Sequence, residues 1–541
     1  MSFEESLKRN WHWWLVALFL IALVIRLTIV LVVYDLLTAP IQRYDSYIYT
    51  LKALEITKGD WSPIRTHSVG WPAFLAAFFY FWQSSSIFEN FLYAIIITTI
   101  VSSALIFPLA YLSGRLLYLK RNILLVLLSF IFTYSLIIPE GTLIILSEPL
   151  FSFLFLLALC FIFKARDQSG FIFLAAAISA LAYFVRPTGL FLLPILLISY
   201  WLLTKHWLRL RILYSVFIII IFFVVALPFL YQRHLYFGSA FDYGGNSEYF
   251  IENYTSAWGD VFPKTSFFNY LNQHSLTDWF KKFVVAGFFL ALTYFFYSIL
   301  PLIFFFIIGW STSKDNRLWL ITKIIFVVWF IGLIPVFSIY YLPRHFFPVL
   351  PLALIMAVAG FRQLVGNREN HYRLDSAFII YQIIILFLST SILIWAMKTL
   401  AKDISLNRRD ALVWAQWAAV NVKGKVAVGD GSDILMMNLS DARIGGRGMM
   451  DMIAPQSGLS TIYPGKVEQL DDLREWFREK EVTHLLLDDE RWSPVFFLPS
   501  KHLKIYTGED IPDYFKEIYS NYQTNSQWKV RLFKIDWEKY E

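Results

Sequence analysis

The strongest constraint on this chain is a series of long apolar stretches with almost no charge in them. About 20 consecutive apolar residues match the hydrocarbon thickness of a bilayer. Within that solvent the backbone must satisfy its own hydrogen bonds, which leaves helices as the simplest spanning structure. Eleven stretches fit: 13–35, 91–114, 122–139, 144–163, 170–185, 188–204, 212–231, 284–309, 318–340, 346–361 and 377–398. Short and ambiguous segments allow a count of up to thirteen. The chain has 541 residues, 57% hydrophobic and 16% charged. A soluble protein would carry about 25% charged residues. A polytopic α-helical membrane protein is therefore predicted, in contact with membrane lipids. Its 52 Phe and 20 Trp suit lipid-facing surface and interfacial belts. Residues 71–82 are too short to span and read as an interfacial or re-entrant helix. Arg26 lies inside the first span, where a charge must pair or reach the interface.

The basic residues set the orientation. With the N-terminus inside, the inner loops hold Arg115, Lys120 and Arg121; Lys164 and Arg166; Lys205, Arg209 and Arg211; Lys314 and Arg317; and Arg362, Arg368 and Arg373. The short outer loops hold little but Arg186 and Arg344, as the positive-inside rule requires. The apolar stretch behind Lys8 and Arg9 is too long for a cleaved leader and reads as a signal anchor. Two outer loops are long, 36–90 and 232–283, and long loops in compact proteins carry function. The formal charge of +7 is spread over short loops, so no nucleic-acid partner is expected. The single cysteine, Cys160, excludes an internal disulfide or a cysteine-based metal site.

An odd number of spans leaves the tail outside. From about residue 400 the pattern changes, dividing a membrane portion, 1–399, from an α/β domain, 400–541, on the outer face. Segments 425–430, 484–489, 502–507 and 528–536 read as strands; 408–421 and 467–480 read as amphipathic helices.

Ionisable residues gather on the predicted outer side: Asp45, Glu140, Glu148, Arg186 and Arg344, with His67 and His345. Arginine binds phosphate in a fork of donors, and a carboxylate can take a proton from an attacking hydroxyl. A lipid-linked phosphosugar needs both. Each residue also has a structural reading. Arg186 and Arg344 suit snorkelling at headgroup depth, and Glu148 suits a helix N-terminus.

Four motifs, in order, carry a resemblance. Asp45 follows the first span and leads into a helix ending in Lys58-Gly59-Asp60-Trp61. Val69-Gly70-Trp71-Pro72-Ala73-Phe74-Leu75 comes next. Leu146-Ser147-Glu148-Pro149-Leu150-Phe151 and the turn Arg186-Pro187-Thr188-Gly189 follow. Last is Arg344-His345-Phe346-Phe347-Pro348-Val349-Leu350-Pro351. The chain resembles the GT-C superfamily of integral-membrane glycosyltransferases, and within it the protein O-mannosyltransferase and aminoarabinose transferase branch. Where many relatives have Lys-Pro-Pro, this chain has Thr66-His67-Ser68-Val69-Gly70, leaving His67 or Arg65 for that place.

The resemblance implies an inverting glycosyltransferase in the plasma membrane. The sugar moves from a polyprenyl phosphate to a hydroxyl acceptor at the outer face. Asp45 and Glu148 are the implied catalytic carboxylates. Arg344, Arg186 and His67 are the implied phosphate ligands. Tyr243, Asn246, Tyr249, Trp258, His345 and Glu140 are candidates for the sugar and acceptor. No metal is assigned, although Mg²⁺ or Mn²⁺ would fit if Asp45 and Glu148 converge. A transporter or flippase is the main rival, and a polymerase or ligase with a diphosphate-linked donor another. Charges on one face and no visible repeat argue against transport.

Overall fold

In the computed structural model, the described residues are 9–33, 44–63, 68–84, 87–136, 145–204, 206–238, 240, 272, 274–299, 302–312, 316–338, 343–365, 375–381, 417, 421–428, 459–462, 474–479, 481–488, 508, 511–521 and 530–540. Apolar helices dominate up to residue 381. They are α1 (Trp11–Val33), α2 (Tyr44–Thr57), α3 (Gly70–Trp82), α4 (Ile87–Ala104), α5 (Ile106–Leu117), α6 (Lys120–Leu136), α7 (Glu148–Lys164), α8 (Phe171–Val185), α9 (Leu192–Leu203) and α10 (Leu208–Phe237). A short helix α11 (Leu276–Trp279) runs through a π-helical stretch, Phe280–Phe288, into α12 (Phe289–Ser298). Then come α13 (Ile303–Thr312), α14 (Arg317–Phe337) and α15 (Leu350–Val365). Five helical stretches among the described residues are long and apolar enough to cross a membrane; Leu208–Phe237, at 30 residues, is one of them. The architecture is that of a polytopic helical membrane protein.

Two sequence expectations need correction. The predicted span 284–309 is two helices, α12 ending at Ser298 and α13 starting at Ile303. Pro301, between them, removes a backbone donor. The predicted loop 232–283 is shorter at both ends, because α10 continues to Phe237 and helix resumes at Leu276. The short predicted spans 170–185, 188–204 and 346–361 appear as short helices: α8 has 15 residues, α9 has 12 behind the turn Pro187–Phe191, and α15 has 16. The predicted helix at 71–82 is present as α3 and packs on α2.

The bundle is drawn tight by backbone approach. A Cβ on Gly309 would run into the backbone of Met356, and one on Gly360 into that of Phe305. Lipid gives helices no hydrophobic drive to associate, so small residues that admit close contact take that role. Arg26, fully buried in α1, donates from Nη1 to Ser103 Oγ at 2.9 Å and lies over the Phe130 ring.

Polar contacts sort the helix ends into two faces. On one, Arg115 meets Asp167, Arg121 and Arg362 both meet Asp375, Arg362 Nε donates to Asn122, and Arg317 donates to the Leu202 carbonyl. The sequence assigns these residues to loops on one side. On the other, Ser46 meets Ile145, Tyr49 meets Ser147, and Arg186 and Arg344 meet Glu148.

Beyond residue 420 a five-stranded sheet forms from β1 (Gly424–Val428), β2 (Leu459–Ile462), β3 (Val482–Asp488), β4 (Phe515–Ser520) and β5 (Val530–Ile535). Its order is β2-β1-β3-β5-β4. The β1 pairings with β2 and β3 are parallel; those of β5 with β3 and β4 are antiparallel. Leu485, Leu486 and Leu487 are all buried, so the central strand is covered on both faces. A short helix, α16 (Arg474–Glu479), precedes β3, and α17 (Trp537–Tyr540) follows β5. Strands β2 and β4 were not evident in the sequence. The predicted strand 502–507 and most of the helix 408–421 lie outside the described residues.

His484 in β3 gives the sheet a pH dependence. Burial, and then the Lys534 cation opposite it, lower the imidazole from 6.5 to about 4. Between those values the unfolded chain takes a proton that the folded sheet refuses, so stability is lost as pH falls from about 6.5 towards 4. Hydrogen exchange of β3 and β5 amides, corrected for intrinsic rates, should accelerate over that window in wild type. The extra acceleration should be absent from His484→Gln.

Candidate functional site

The site is built around one carboxylate. Glu148 is the first residue of α7, with Ser147 as N-cap and Pro149 just inside the helix. Proline pre-sets the first turn, and the helix dipole favours a negative group there. Glu148 is 2% exposed, and its Oε1 faces two guanidinium groups. Nη1 of Arg186 bridges to it closely, and Nε of Arg344 lies 3.4 Å away.

Local sequence places each arginine. Arg186 caps α8 in extended conformation, with φ −148° and ψ 139°. Pro187 imposes this, because a residue before proline is driven out of the helical region. The chain then makes a 3₁₀ turn, Pro187–Phe191, and the Gly189 amide donates to the Arg186 carbonyl at 2.9 Å. Gly189 packs against the backbone of Tyr183 with no space for a Cβ. Arg344 sits in a second 3₁₀ turn, Pro343–Phe346. Trp329 of α14 holds that turn: its indole N–H donates to the His345 carbonyl at 3.0 Å, and its ring packs on Phe155 and Phe191.

Helix α2 is tied to the same place. The Ile145 amide donates to Ser46 Oγ at 3.1 Å. The Tyr49 hydroxyl donates to Ser147 Oγ at 3.4 Å, and Ser147 Oγ lies 3.5 Å from Glu148 Oε2. Asp45 is the second residue of α2, next to Ser46, so its backbone belongs to this cluster; its side chain lies outside the described atoms. Further along α2, buried Lys52 reaches Glu55, Ser62 and Asp60 and closes the turn after the helix.

The expected residues thus divide. Glu148, Arg186, Arg344 and His345 come together, with the backbone of Asp45 beside them. His67, Glu140, Tyr243, Asn246, Tyr249 and Trp258 lie outside the described residues. Ser46, Tyr49 and Ser147 were not singled out from sequence, although Ser46 and Tyr49 share a helix face with spacing i,i+3. Arg233 was read as part of a loop. It is a fully buried residue of α10, lying over Phe229 and Phe237, and Phe229 packs on Phe184 just before Arg186.

Among the described side chains, one carboxylate, that of Glu148, faces the two guanidiniums. Burial, with the Arg186 and Arg344 cations, holds the His345 imidazole well below its ordinary range, so it stays neutral and adds no charge. The arrangement can receive an anion. It does not suit a divalent cation at Glu148, whose carboxylate is already engaged by two arginines. Among the described residues no three ligating side chains gather elsewhere.

No protein-family model matches the chain, and no curated protein matches its sequence. Solved structures do match. ArnT from Cupriavidus metallidurans, bound to undecaprenyl phosphate, superposes with a TM-score of 0.58 at 12% identity, covering 96% of this chain and 98% of that one. An Archaeoglobus fulgidus oligosaccharyltransferase tethered to an acceptor peptide gives 0.54 at 13% identity, covering 97% and 74%. The same enzyme, AglB, in complex with an inhibitory peptide and a dolichol-phosphate gives 0.53 at 13%. At these identities the likeness establishes the fold alone, which this chain shares with these ArnT and oligosaccharyltransferase structures.

Removing one partner of a buried ion cluster leaves uncompensated charge, at a cost on the order of 3–5 kcal/mol. Glu148→Gln should therefore lower the thermal unfolding midpoint of the detergent-purified protein clearly. Glu148→Asp should lower it less. Equal midpoints for Glu148→Gln and wild type would refute the pairing.

Proposed function

We propose that this GT-C-fold chain is an inverting glycosyltransferase. It would move a sugar from a polyprenyl-phosphate donor to a hydroxyl acceptor on the extracytoplasmic face of the membrane. The observation that carries the reading is the Arg186–Glu148–Arg344 cluster, a buried carboxylate facing two guanidiniums and joined to the start of α2. Support comes from two solved structures of the same fold, one bound to undecaprenyl phosphate and one to a dolichol-phosphate.

In this proposal the acceptor hydroxyl attacks the anomeric carbon from the face opposite the phosphate. The new carbon–oxygen bond forms as the bond to the phosphate oxygen breaks. Asp45 takes the hydroxyl proton, and polyprenyl phosphate leaves with the bonding pair. The transition state has oxocarbenium character. Arg186 and Arg344 stabilise the charge that develops on the leaving phosphate. Glu148, read from sequence as a second catalytic carboxylate, instead orients the two arginines. His345 would contribute as a neutral group. His67, Glu140 and the loop residues Tyr243, Asn246, Tyr249 and Trp258 remain proposed contacts for phosphate, sugar or acceptor.

The same proposal places the polar face bearing Glu148 outside and the face bearing Arg115, Arg121 and Arg362 in the cytoplasm, at the plasma membrane. It treats 400–541, which contains the sheet, as a separate extracytoplasmic domain. A transporter or flippase would place its binding charges near the bilayer midplane; the Glu148 cluster is at helix ends.

The test follows release of polyprenyl phosphate from a panel of polyprenyl-phosphate sugars by the purified full-length protein. Asp45→Asn should reduce turnover about 10²–10⁴-fold, the typical contribution of a general base. Arg344→Gln should reduce it about 10²–10³-fold, as expected for one electrostatic donor. Full turnover by Asp45→Asn would remove the general-base assignment. No turnover of any monophosphosugar by wild type would remove the donor class.

A further inference from the structure

On the bundle face opposite the Glu148 cluster, the cations are of two kinds. Arg115 meets Asp167, and Arg121 and Arg362 meet Asp375. The turn between α9 and α10, joined to this face where Arg317 donates to the Leu202 carbonyl, is different. The sequence holds no Asp or Glu between Asp167 and Asp242, yet it supplies Lys205, Arg209 and Arg211 at this turn. Lys205 lies outside the described residues; Arg209 is exposed. Among the described residues no carboxylate pairs with Arg209 or Arg211.

Arg211 is held in place without being neutralised. Its Nη2 donates to the Thr204 carbonyl at 2.9 Å, and its guanidinium carbon lies 5.9 Å from the centre of the Trp201 ring. Trp201 is fixed in turn: its indole N–H donates to Ser215 Oγ at 2.9 Å, and that hydroxyl donates to the Arg211 carbonyl at 2.8 Å. Tyr200 and Tyr214 stack across the same hairpin, 5.7 Å apart and 3° from parallel, and His206 lies against Tyr214. A guanidinium has five donors, and the carbonyl takes one. A ring and a carbonyl orient the cation and leave its charge whole.

The surroundings are apolar and uncovered. Trp207 is 85% exposed and Trp201 41%, and Leu208, Leu210, Ile212 and Leu213 are exposed as well. In a membrane protein such side chains meet lipid tails, and tryptophan gathers where tails give way to headgroups. A short turn between two apolar helices lies at that depth. Cations without carboxylates, bordered by tryptophans and tail-facing side chains, fit an anion that brings its own hydrocarbon. A soluble anion would use the charge and leave the apolar border in water.

We infer that the α9–α10 turn binds the headgroup of an anionic phospholipid. Arg209 and Arg211 meet the phosphate diester, and Trp201 and Trp207 lie beside the glycerol at the boundary with the tails. Basic pockets between spanning helices are suited to such headgroups. Arg115, Arg121 and Arg362 do not share the property, because Asp167 and Asp375 already take up their charge. Nothing in the inference depends on the reaction at the Glu148 cluster, which lies at the opposite helix ends.

The experiment titrates phosphatidylglycerol onto the full-length protein in detergent and reads bound lipid by native mass spectrometry, with phosphatidylcholine and glycerol phosphate as parallel probes. Wild type should hold phosphatidylglycerol more tightly than either. Arg209→Gln and Arg211→Gln should each weaken phosphatidylglycerol about fivefold, the effect of one cation beside an anionic headgroup, with phosphatidylcholine unchanged. Arg115→Gln, which removes a cation already paired with Asp167, should leave the affinity at the wild-type value. Arg209→Gln removes an exposed side chain and should leave the thermal unfolding midpoint unchanged, which separates lost binding from lost structure. Wild-type affinity in Arg209→Gln would overturn the inference. An equal loss in Arg115→Gln would also overturn it, by showing a diffuse attraction of the whole face. Phosphatidylcholine bound as tightly as phosphatidylglycerol would remove the anionic headgroup, and glycerol phosphate bound as tightly would remove the lipid. These outcomes are independent of the turnover assays, so the inference can fail while the proposed function stands.

Discussion

The site depends on the pairing of Glu148 with Arg186 and Arg344. Two charges withdrawn from water repay their desolvation only when the geometry is close and other hydrogen bonds assist. Here the assistance is present. The helix dipole of α7 favours the carboxylate, Ser147 lies against its second oxygen, and Tyr49 orients Ser147. The pairing joins α2, the N-terminus of α7, the turn after α8 and the turn before α15. None of those four could shift far without exposing a buried charge.

The rest of the bundle serves to hold these ends in place. Trp329 fixes the Arg344 turn from the side by its indole N–H and its ring contacts. Helix α15 continues from that turn and meets the opposite face at Arg362, which shares Asp375 with Arg121. Its middle is locked to α13 where Gly360 and Gly309 admit backbone contact. An apolar helix anchored by ions at one end and by a turn at the other has little freedom to slide.

Much of this was legible in the sequence, and the parts that were not share a cause. Apolar stretches gave the membrane class and most helices, because hydrocarbon imposes a length and forbids unpaired backbone. The loop charges grouped Glu148 with Arg186 and Arg344 because only short turns separate them from helix ends. The break between α12 and α13 was missed because both halves are apolar and the composition runs on unchanged across it. Strands β2 and β4 were missed for a related reason: Leu459–Ile462 is too short for a pattern, and Phe515–Ser520 alternates weakly. The contacts of Ser46, Tyr49 and Ser147 depend on which helices meet, and spacing along one helix does not contain that. Glu148 was visible as a residue but not as a partner: a carboxylate at a helix start looks the same whether it holds arginines or activates a hydroxyl.

The turn chemistry around Arg186 also implies an order of assembly. Glu148 and Arg186 stand at the two ends of one helical hairpin, α7 and α8, so they can meet as soon as that hairpin is inserted. At that stage the pair is neutral and comfortable in a membrane. Arg344 comes from a turn made much later in synthesis and joins the cluster last. Arg186 therefore meets its carboxylate as soon as its own helix is made, and the second guanidinium of the cluster arrives when the surrounding helices are already in place.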